Sequence, residues 1–468
     1  MFEPVTLPFW LLVLILAFAG VTFASHFLFP SVRWFLRRRA ERIIARLNAR
    51  LDRPIQPFKL MKRPDMINRL IHDPQVAEAI AAEVRATGIP ATVQLERARR
   101  YAREIVPAFS ATVYFGIAAR AAKWLTRLVY RVRIGERDAA LSAAIDREAT
   151  VVFVMNHRSN MDYVLVTYLA ADRSALAYAV GEWARVWPLS WLIRASGAYF
   201  IRRKSHNPLY RRVLARYVQM ATEEGVTQAL FPEGGLSLDG RVGAPKLGIL
   251  SYIVDAHRPG GRDVVFVPVA LAYDRVLEDR VLTAAHAAGE RRFRASVGSI
   301  LMFVGRQLRR LLTGRFQKFG TAAVRFGAPL SLAAFLRKPH RDVTAELAAE
   351  LMGRVAREVA VLPVPLVCAA LGAQTDLPRA ELETRADAIA RALARAGAPL
   401  ELPEGSVRRA VARGLEILAL RKVVRLQGDR VTVPPRDRAL IGFYAAPVGQ
   451  HLAAVATSAA AAHPQTGP

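Results

Sequence analysis

Cysteine is almost absent from the 468-residue chain: Cys368 stands alone. That excludes an intrachain disulfide and a zinc site built on cysteines. Acidic residues are scarce too. There are 39 Asp and Glu against 67 Lys and Arg, a formal net charge of +28. Such a surplus suits an anionic membrane surface, nucleic acid or an acidic partner protein. Zinc-finger signatures and aromatic RNA-binding motifs are missing, so no nucleic-acid partner is expected. No segment repeats. Hydrophobic residues make up 53% of the chain, which excludes a disordered chain and supplies core for two or three domains.

A more local absence is that of charge: residues 4–32 contain no Asp, Glu, Lys or Arg. Their centre, LPFWLLVLILAFAGVTFASHFLFP, is long enough to cross ~30 Å of hydrocarbon. It lacks the basic n-region and small-residue cleavage site of a signal peptide. Arg33, Arg37, Arg38, Arg39 and Arg42 follow directly. By the positive-inside rule they place the rest of the chain on the cytoplasmic side of an inner or plasma membrane, held by a single anchor. Trp10 and Trp34 suit the two interfaces.

The pattern divides the chain into 1–39 as anchor and basic flank, 40–133 as a helical region, 134–345 as a catalytic domain, 346–453 as a mainly helical region and 454–468 as a disordered tail. Between 134 and 345, strand-like runs alternate with helical ones: TVVFVMN, ALAYAVGE, AYFIRR, TQALFPEG, DVVFVPVALAY and AAVRFG. The segment around RLVYRVRIGE reads as a strand leading into them. That alternation predicts an α/β fold with a mixed or largely parallel sheet covered by helices. KVVRLQGDRVTVPP predicts a small hairpin in the C-terminal region.

What the chain does have is VVFVMNHRSNMDYVL, residues 151–165. A buried strand stops at a polar cluster, and a helix begins. In α/β folds the carboxyl end of such a strand is where ligands bind. His157 can take a proton near neutral pH, and Asp162 can fix its tautomer and stabilise the imidazolium. On one regular helix the two positions would lie about 140° apart. The side chains therefore meet only if His157 is in the loop and Asp162 is in the first helical turn.

Further polar interruptions follow. GAYFIRRK delivers Arg202, Arg203 and Lys204 at a strand end, where guanidinium forks match phosphate oxygens. FPEGGLSLDGR carries Glu233, then Gly234 and Gly235, which let the backbone approach a ligand, then Arg241. GAPKLG offers Lys246 as an anion ligand, and VPVALAYDRV places Pro268 in a buried strand.

In this order, HRSNMD, GAYFIRRK, FPEGG and VPVAL resemble the acyltransferase blocks of bacterial glycerol-3-phosphate acyltransferases, within the glycerolipid acyltransferase superfamily of His-x4-Asp type. RLIHDPQVAEAI, ARRYAREI, GAPKLGILSYIVDA and RALIGFYAAPVGQHL extend the likeness over roughly residues 60 to 452. The resemblance implies that His157 is the general base and that Asp162 orients it. The base would deprotonate the 1-hydroxyl of glycerol 3-phosphate, which attacks an acyl thioester carried by coenzyme A or by an acyl-carrier protein. It implies that Arg203 binds phosphate with Arg202 and Lys246 in support, that Glu233 and Gly234 help form the acceptor site, and that Pro268 shapes the fourth block. No metal or redox cofactor is implied.

The family usually carries arginines after the third-block glycines, in a G-R-S-R pattern; here Leu236 and Leu238 flank Ser237. Dihydroxyacetone phosphate and lysophosphatidate are the alternative acceptors, and a non-catalytic lipid- or protein-binding scaffold is the alternative outside enzymes. Finally, SILMFVGRQLRRLLTGRFQKF, residues 299–319, predicts a basic amphipathic helix suited to anionic membrane lipids.

Overall fold

The run VVFVPVALAY becomes a ten-residue strand in which every residue is buried. Such a run requires cover on both faces, and the fold supplies it. The computed structural model describes residues 8–135, 145–170, 174–181, 189–202, 205, 207–289, 305, 309–310, 312–314 and 317–462. Most of the 299–319 stretch lies outside the described residues.

The chain separates into an N-terminal unit ending at Ile55 and a unit that holds nearly all of the rest. The first is one helix, Phe9–Asn48, which runs unbroken through the expected boundary at residue 39. Asn48 Oδ1 accepts the Ile55 N–H at 2.9 Å and closes its end. Phe9, Trp10, Leu14, Leu16, Phe18 and Val21 are all exposed, Phe18 to 73%. The first part of the helix, Phe9–Thr22, is apolar and exposed, which suits hydrocarbon rather than water. That stretch is shorter; among the described residues, the one helix long and apolar enough to cross a membrane is Pro435–Thr457. It is used differently: Leu440, Ile441, Phe443, Tyr444 and Val448 are buried in the core. Its helix, Arg438–Ala462, also continues through the first residues of the expected disordered tail.

The second unit is built on strands β1 (Arg131–Ile134), β2 (Thr150–Met155), β3 (Ala177–Gly181), β4 (Tyr199–Ile201), β5 (Gln228–Leu230), β6 (Val264–Tyr273), β7 (Thr321–Phe326) and β8 (Leu330–Ser331). Each of the strand-like runs named above falls on one of β1 to β7. The sheet order is β1-β7-β6-β2-β5-β3-β4, with β8 also on β6. From β6 to β4 all pairings are parallel, whereas β7 and β8 run antiparallel to β6. The expected α/β fold with a mixed, largely parallel sheet is what forms.

Side-chain alternation divides the core. Val267, Val269, Leu271 and Tyr273 join one apolar cluster with Val151, Met155 and the helix Met161–Ala170. Phe266, Ala270 and Ala272 join a second with Val152, Val154 and the helices Pro208–Glu223 and Val343–Glu358. The chain leaves β2 toward β3, then returns from β5 to β6 on the other side of β2. The carboxyl ends of β2 and β5 therefore open side by side at a reversal of strand order, where α/β folds place ligands.

Pro268 sits inside β6, opposite Val154 of β2. Proline cannot donate to a sheet ladder, so a central strand tolerates it only at an irregularity. That irregularity is the corner between β7 and β8, where the Pro268 carbonyl accepts the Gly327 N–H at 2.8 Å.

The C-terminal region packs the helices Pro363–Leu371, Arg379–Arg395, Val407–Leu420 and Arg438–Ala462 together. The predicted hairpin pairs Arg425–Gln427 with Arg430–Thr432, and Asp376–Pro378 adds a third strand. Several contacts tie this region to the catalytic part, among them the Val364 N–H donating to Asp274 at 3.0 Å and two that bear on the loops beside the sheet. Asp279 accepts from Arg421 and from the Tyr444 hydroxyl, both at 2.5 Å. Gly240, at φ +88°, lies against the Phe443 backbone so closely that an added methyl would overlap the Phe443 carbonyl oxygen. Gly240→Ala is therefore expected to destabilise by about 2–5 kcal/mol, combining left-handed strain with overpacking. Urea unfolding measures it; an unchanged midpoint would contradict this packing.

Candidate active site

The helix Met161–Ala170 begins shortly after β2 ends at Met155. His157 thus lies in the loop and Asp162 in the first helical turn, as the spacing requires. His157 Nδ1 is 2.9 Å from Asp162 Oδ2, and both side chains are buried. The same oxygen accepts the N–H groups of Arg158 at 2.7 Å and Ser159 at 3.0 Å. Asp162 Oδ1 accepts the Tyr273 hydroxyl at 2.7 Å. With four donors converging on it, the carboxylate is a fixed acceptor for Nδ1–H. The lone pair is then on Nε2, which has no hydrogen-bond partner among the described residues. Phe231 stacks on the imidazole at 4.3 Å between centroids, and Tyr163 meets it edge-on at 5.3 Å. The ring is held on both sides.

The loop itself is strapped to β6 and the segment after it. Asn156 donates to the Leu271 carbonyl at 3.0 Å and accepts its N–H at 2.8 Å. Glu278 accepts from Ser159 Oγ at 2.8 Å, and from the Asn160 N–H and Nδ2 at 3.2 and 3.0 Å. Burial pushes the Glu278 carboxyl up, against the pull of these donors. Sequence reading singled out neither Tyr273 nor Glu278. Alternation along β6 was the one signal for Tyr273, since it puts that residue on the face of Leu271 and Val269. Glu278 had none: its partners are more than a hundred positions away.

The turn after β5 closes the other side. Glu233 Oε1 accepts the His157 N–H at 2.9 Å, and the Ser237 N–H donates to the His157 carbonyl at 2.9 Å. Both backbone groups of His157 are thus tied to this turn. Gly234 has φ +67°, and a side chain there would meet Lys246 Cδ at 2.8 Å. Glycine lets Lys246 lie across the turn. The Lys246 N–H in turn donates to the Pro232 carbonyl at 2.8 Å. Leu236 and Leu238 are half-buried against the core. Arg158 is buried, donates to the Gly240 carbonyl, and lies 5.0 Å from the Phe443 ring centroid.

Burial pushes the Glu233 carboxyl up to about 7; the N–H groups of His157 and Gly243 and the charge of Arg158 pull the other way. The folded protein holds this proton more tightly than the unfolded chain. Its contribution is therefore present at low pH and is lost as pH rises from the ordinary 4.5 through about 7. Glu233→Gln should gain stability relative to the wild type between about pH 5 and about pH 8, by up to about 3 kcal/mol. Urea unfolding at the two pH values checks it; parallel loss in both proteins would contradict it.

The family model described as Acyltransferase matches residues 138–272, and the model for the glycerol-3-phosphate acyltransferase C-terminal region matches 306–465. The first covers the dyad and the turn after β5; the second covers the helices that pack on Gly240 and Asp279. The chain belongs to the acyltransferase superfamily and carries the C-terminal region of its glycerol-3-phosphate branch. Curated relatives of that branch include the glycerol-3-phosphate acyltransferases of Pasteurella multocida, 30% identical over 61% of this chain and 34% of that protein, and of Ectopseudomonas mendocina, 31% identical over 58% and 32%. The chain thus aligns with about a third of the length of these relatives. A crystal structure of the 1-acyl-sn-glycerophosphate (LPA) acyltransferase of Thermotoga maritima matches 61% of this chain and 98% of that one, with 20% identity and a TM-score of 0.30.

Among the acyltransferase blocks, the first and third meet directly at His157, Glu233 and Ser237. The second block is placed differently. Arg202 forms a two-pronged ion pair with Glu104, at 2.9 and 2.7 Å, and its N–H donates to the Tyr210 hydroxyl at 2.8 Å. Its guanidinium is already engaged. Arg203 and Lys204 lie outside the described residues. Arg241 has an exposed side chain, and its backbone closes the third-block loop by accepting Ser237 Oγ at 2.7 Å. Pro268 lies one strand level below the catalytic loop, at the β7–β8 corner described above.

Proposed function

We propose that this acyltransferase moves a fatty acyl group from an acyl thioester, carried by coenzyme A or an acyl-carrier protein, to the 1-hydroxyl of glycerol 3-phosphate. The observation that carries the reading is His157, with Nδ1 bound to Asp162 and Nε2 free to accept a proton. The acceptor hydroxyl gives its proton to Nε2 as its oxygen bonds to the thioester carbonyl carbon. The tetrahedral adduct collapses, the C–S bond breaks, and the departing sulfur takes the proton back from the imidazolium. Asp162 offsets the positive charge that the ring carries meanwhile. Lys246, lying across Gly234, and Arg203 supply cations for the acceptor phosphate. The apolar helix Phe9–Asn48 anchors the enzyme in the membrane, with the catalytic unit on the cytoplasmic side.

Tyr273 positions Asp162. Tyr273→Phe keeps the ring but removes one donor from the carboxylate. The expected result is a fall in kcat of about tenfold with little change in KM, because the bond matters most when the imidazole is charged. Equal kcat in both proteins would remove Tyr273 from the machinery.

A second reading has lysophosphatidate as acceptor. Leu236 and Leu238 stand where the family holds arginines and pack against the core, so the acceptor is decided by assay and not by these two positions. Purified protein assayed with one acyl thioester and a panel of glycerol 3-phosphate, dihydroxyacetone phosphate and lysophosphatidate decides between them. The first reading expects glycerol 3-phosphate to give the highest kcat/KM; preference for lysophosphatidate would replace it with the second.

A further inference from the structure

The residues Thr112–Ala118 and Ala119–Val129 form one helical segment without an acidic residue. One side is spent on the core: Tyr114, Ala118, Ala122, Thr126 and Val129 are buried. The other side is unusual for a surface in water. Ile117 is 57% exposed and Trp124 63%. Around Trp124 the protein forms an open pocket of about 530 Å³ lined by Arg120, Lys123, Arg127, Leu128 and Lys318. Among the described residues no acidic side chain lines it. The helix Leu189–Ala195 packs on the start of this segment and adds Trp191, also exposed.

We infer that this face is a membrane-docking surface whose pocket takes the headgroup of an anionic phospholipid. An indole prefers the boundary between headgroups and acyl chains, where its ring is desolvated and its N–H stays wet. Cations beside it are drawn to an anionic leaflet. An acidic protein partner is the competing occupant and is one outcome of the test below. The docking surface is also one helix from the dyad. The helix Ala119–Val129 packs on Met161–Ala170, and Arg127 donates to the Tyr168 hydroxyl at 3.4 Å. Docking there brings the active site to the plane in which long acyl chains lie.

The test uses the full chain in vesicles of phosphatidylcholine alone, or with one part in three phosphatidylglycerol, all with brominated acyl chains that quench nearby indoles. The difference between wild type and Trp124→Phe isolates the Trp124 signal. That signal is expected to be quenched at least severalfold more with phosphatidylglycerol present. Lys123→Glu combined with Arg127→Glu should return it to the phosphatidylcholine level. Arg120→Glu combined with Lys318→Glu should do the same without touching the Tyr168 bond. Three results would overturn the inference: equal quenching in both vesicle types, quenching that survives both charge reversals, or shielding of Trp124 by an acidic acyl-carrier protein but not by brominated lipid. Because quenching reads contact and not turnover, it stands or falls independently of the proposed reaction.

Discussion

Replacing His157 with alanine is expected to lower acyl transfer by on the order of 10²–10⁴-fold while the protein stays folded. The geometry separates the two outcomes. The His157 N–H donates to Glu233, and its carbonyl accepts from Ser237. Neither bond involves the side chain, so the loop keeps its ties to the third block. What is lost is the ring between Phe231 and Tyr163, a truncation that costs about 2–4 kcal/mol of stability in a well-packed site. In the proposed reaction the step loses its proton acceptor, Nε2 of His157. Thiol release from the acyl donor measures the rate, and circular dichroism measures the fold. Turnover near the wild-type value in a folded His157→Ala protein would end the general-base account.

Asp162→Asn is expected to lower kcat by at least about 100-fold, with a smaller effect on KM. An amide has one acceptor oxygen where the carboxylate has two. In the native site Oδ2 takes three N–H donors and Oδ1 takes the Tyr273 hydroxyl. If the amide oxygen faces the loop, the two backbone donors keep their partner, but the imidazolium has no counter-charge. If the amide nitrogen faces the loop, it repels both backbone N–H groups and favours the tautomer with the proton on Nε2, where the base must be empty. Either orientation damages the step that charges the ring. Because these bonds also set the first turn of the helix Met161–Ala170, a lower melting temperature should accompany the loss. The pH profile separates the two effects: a merely structural defect lowers the plateau alone, whereas loss of the counter-charge also moves the midpoint of the rising limb to lower pH, because an imidazolium without its carboxylate gives up its proton more readily. An unchanged profile at full rate would mean that Asp162 only holds the loop.

The dyad was legible because its two residues are five positions apart on a strand–loop–helix pattern that has few solutions. The strand runs were legible for a similar reason: β6 is apolar throughout, and its neighbour β2 is a short β-branched run that is nearly all buried. What the sequence concealed is everything that depends on distant partners. Tyr273 and Glu278 lock the catalytic loop from beyond a hundred residues away. Arg202 read as a phosphate ligand because strand ends with guanidinium groups suit phosphate; Glu104, on the helix Ala91–Ile105, meets it first. The helix Arg438–Ala462 has the length and composition of a membrane span, yet packs into the core. Composition cannot separate those two fates, because both reward the same side chains.

The measurement closest to the central claim is a mass balance on the purified full chain. One acyl thioester and glycerol 3-phosphate are supplied, and free thiol and ester product are counted together over time. The account predicts one ester formed for each thiol released, both lost in His157→Ala. Thiol released without ester would make the chain a hydrolase, and a lack of either product in active-folded protein would make the dyad a structural feature.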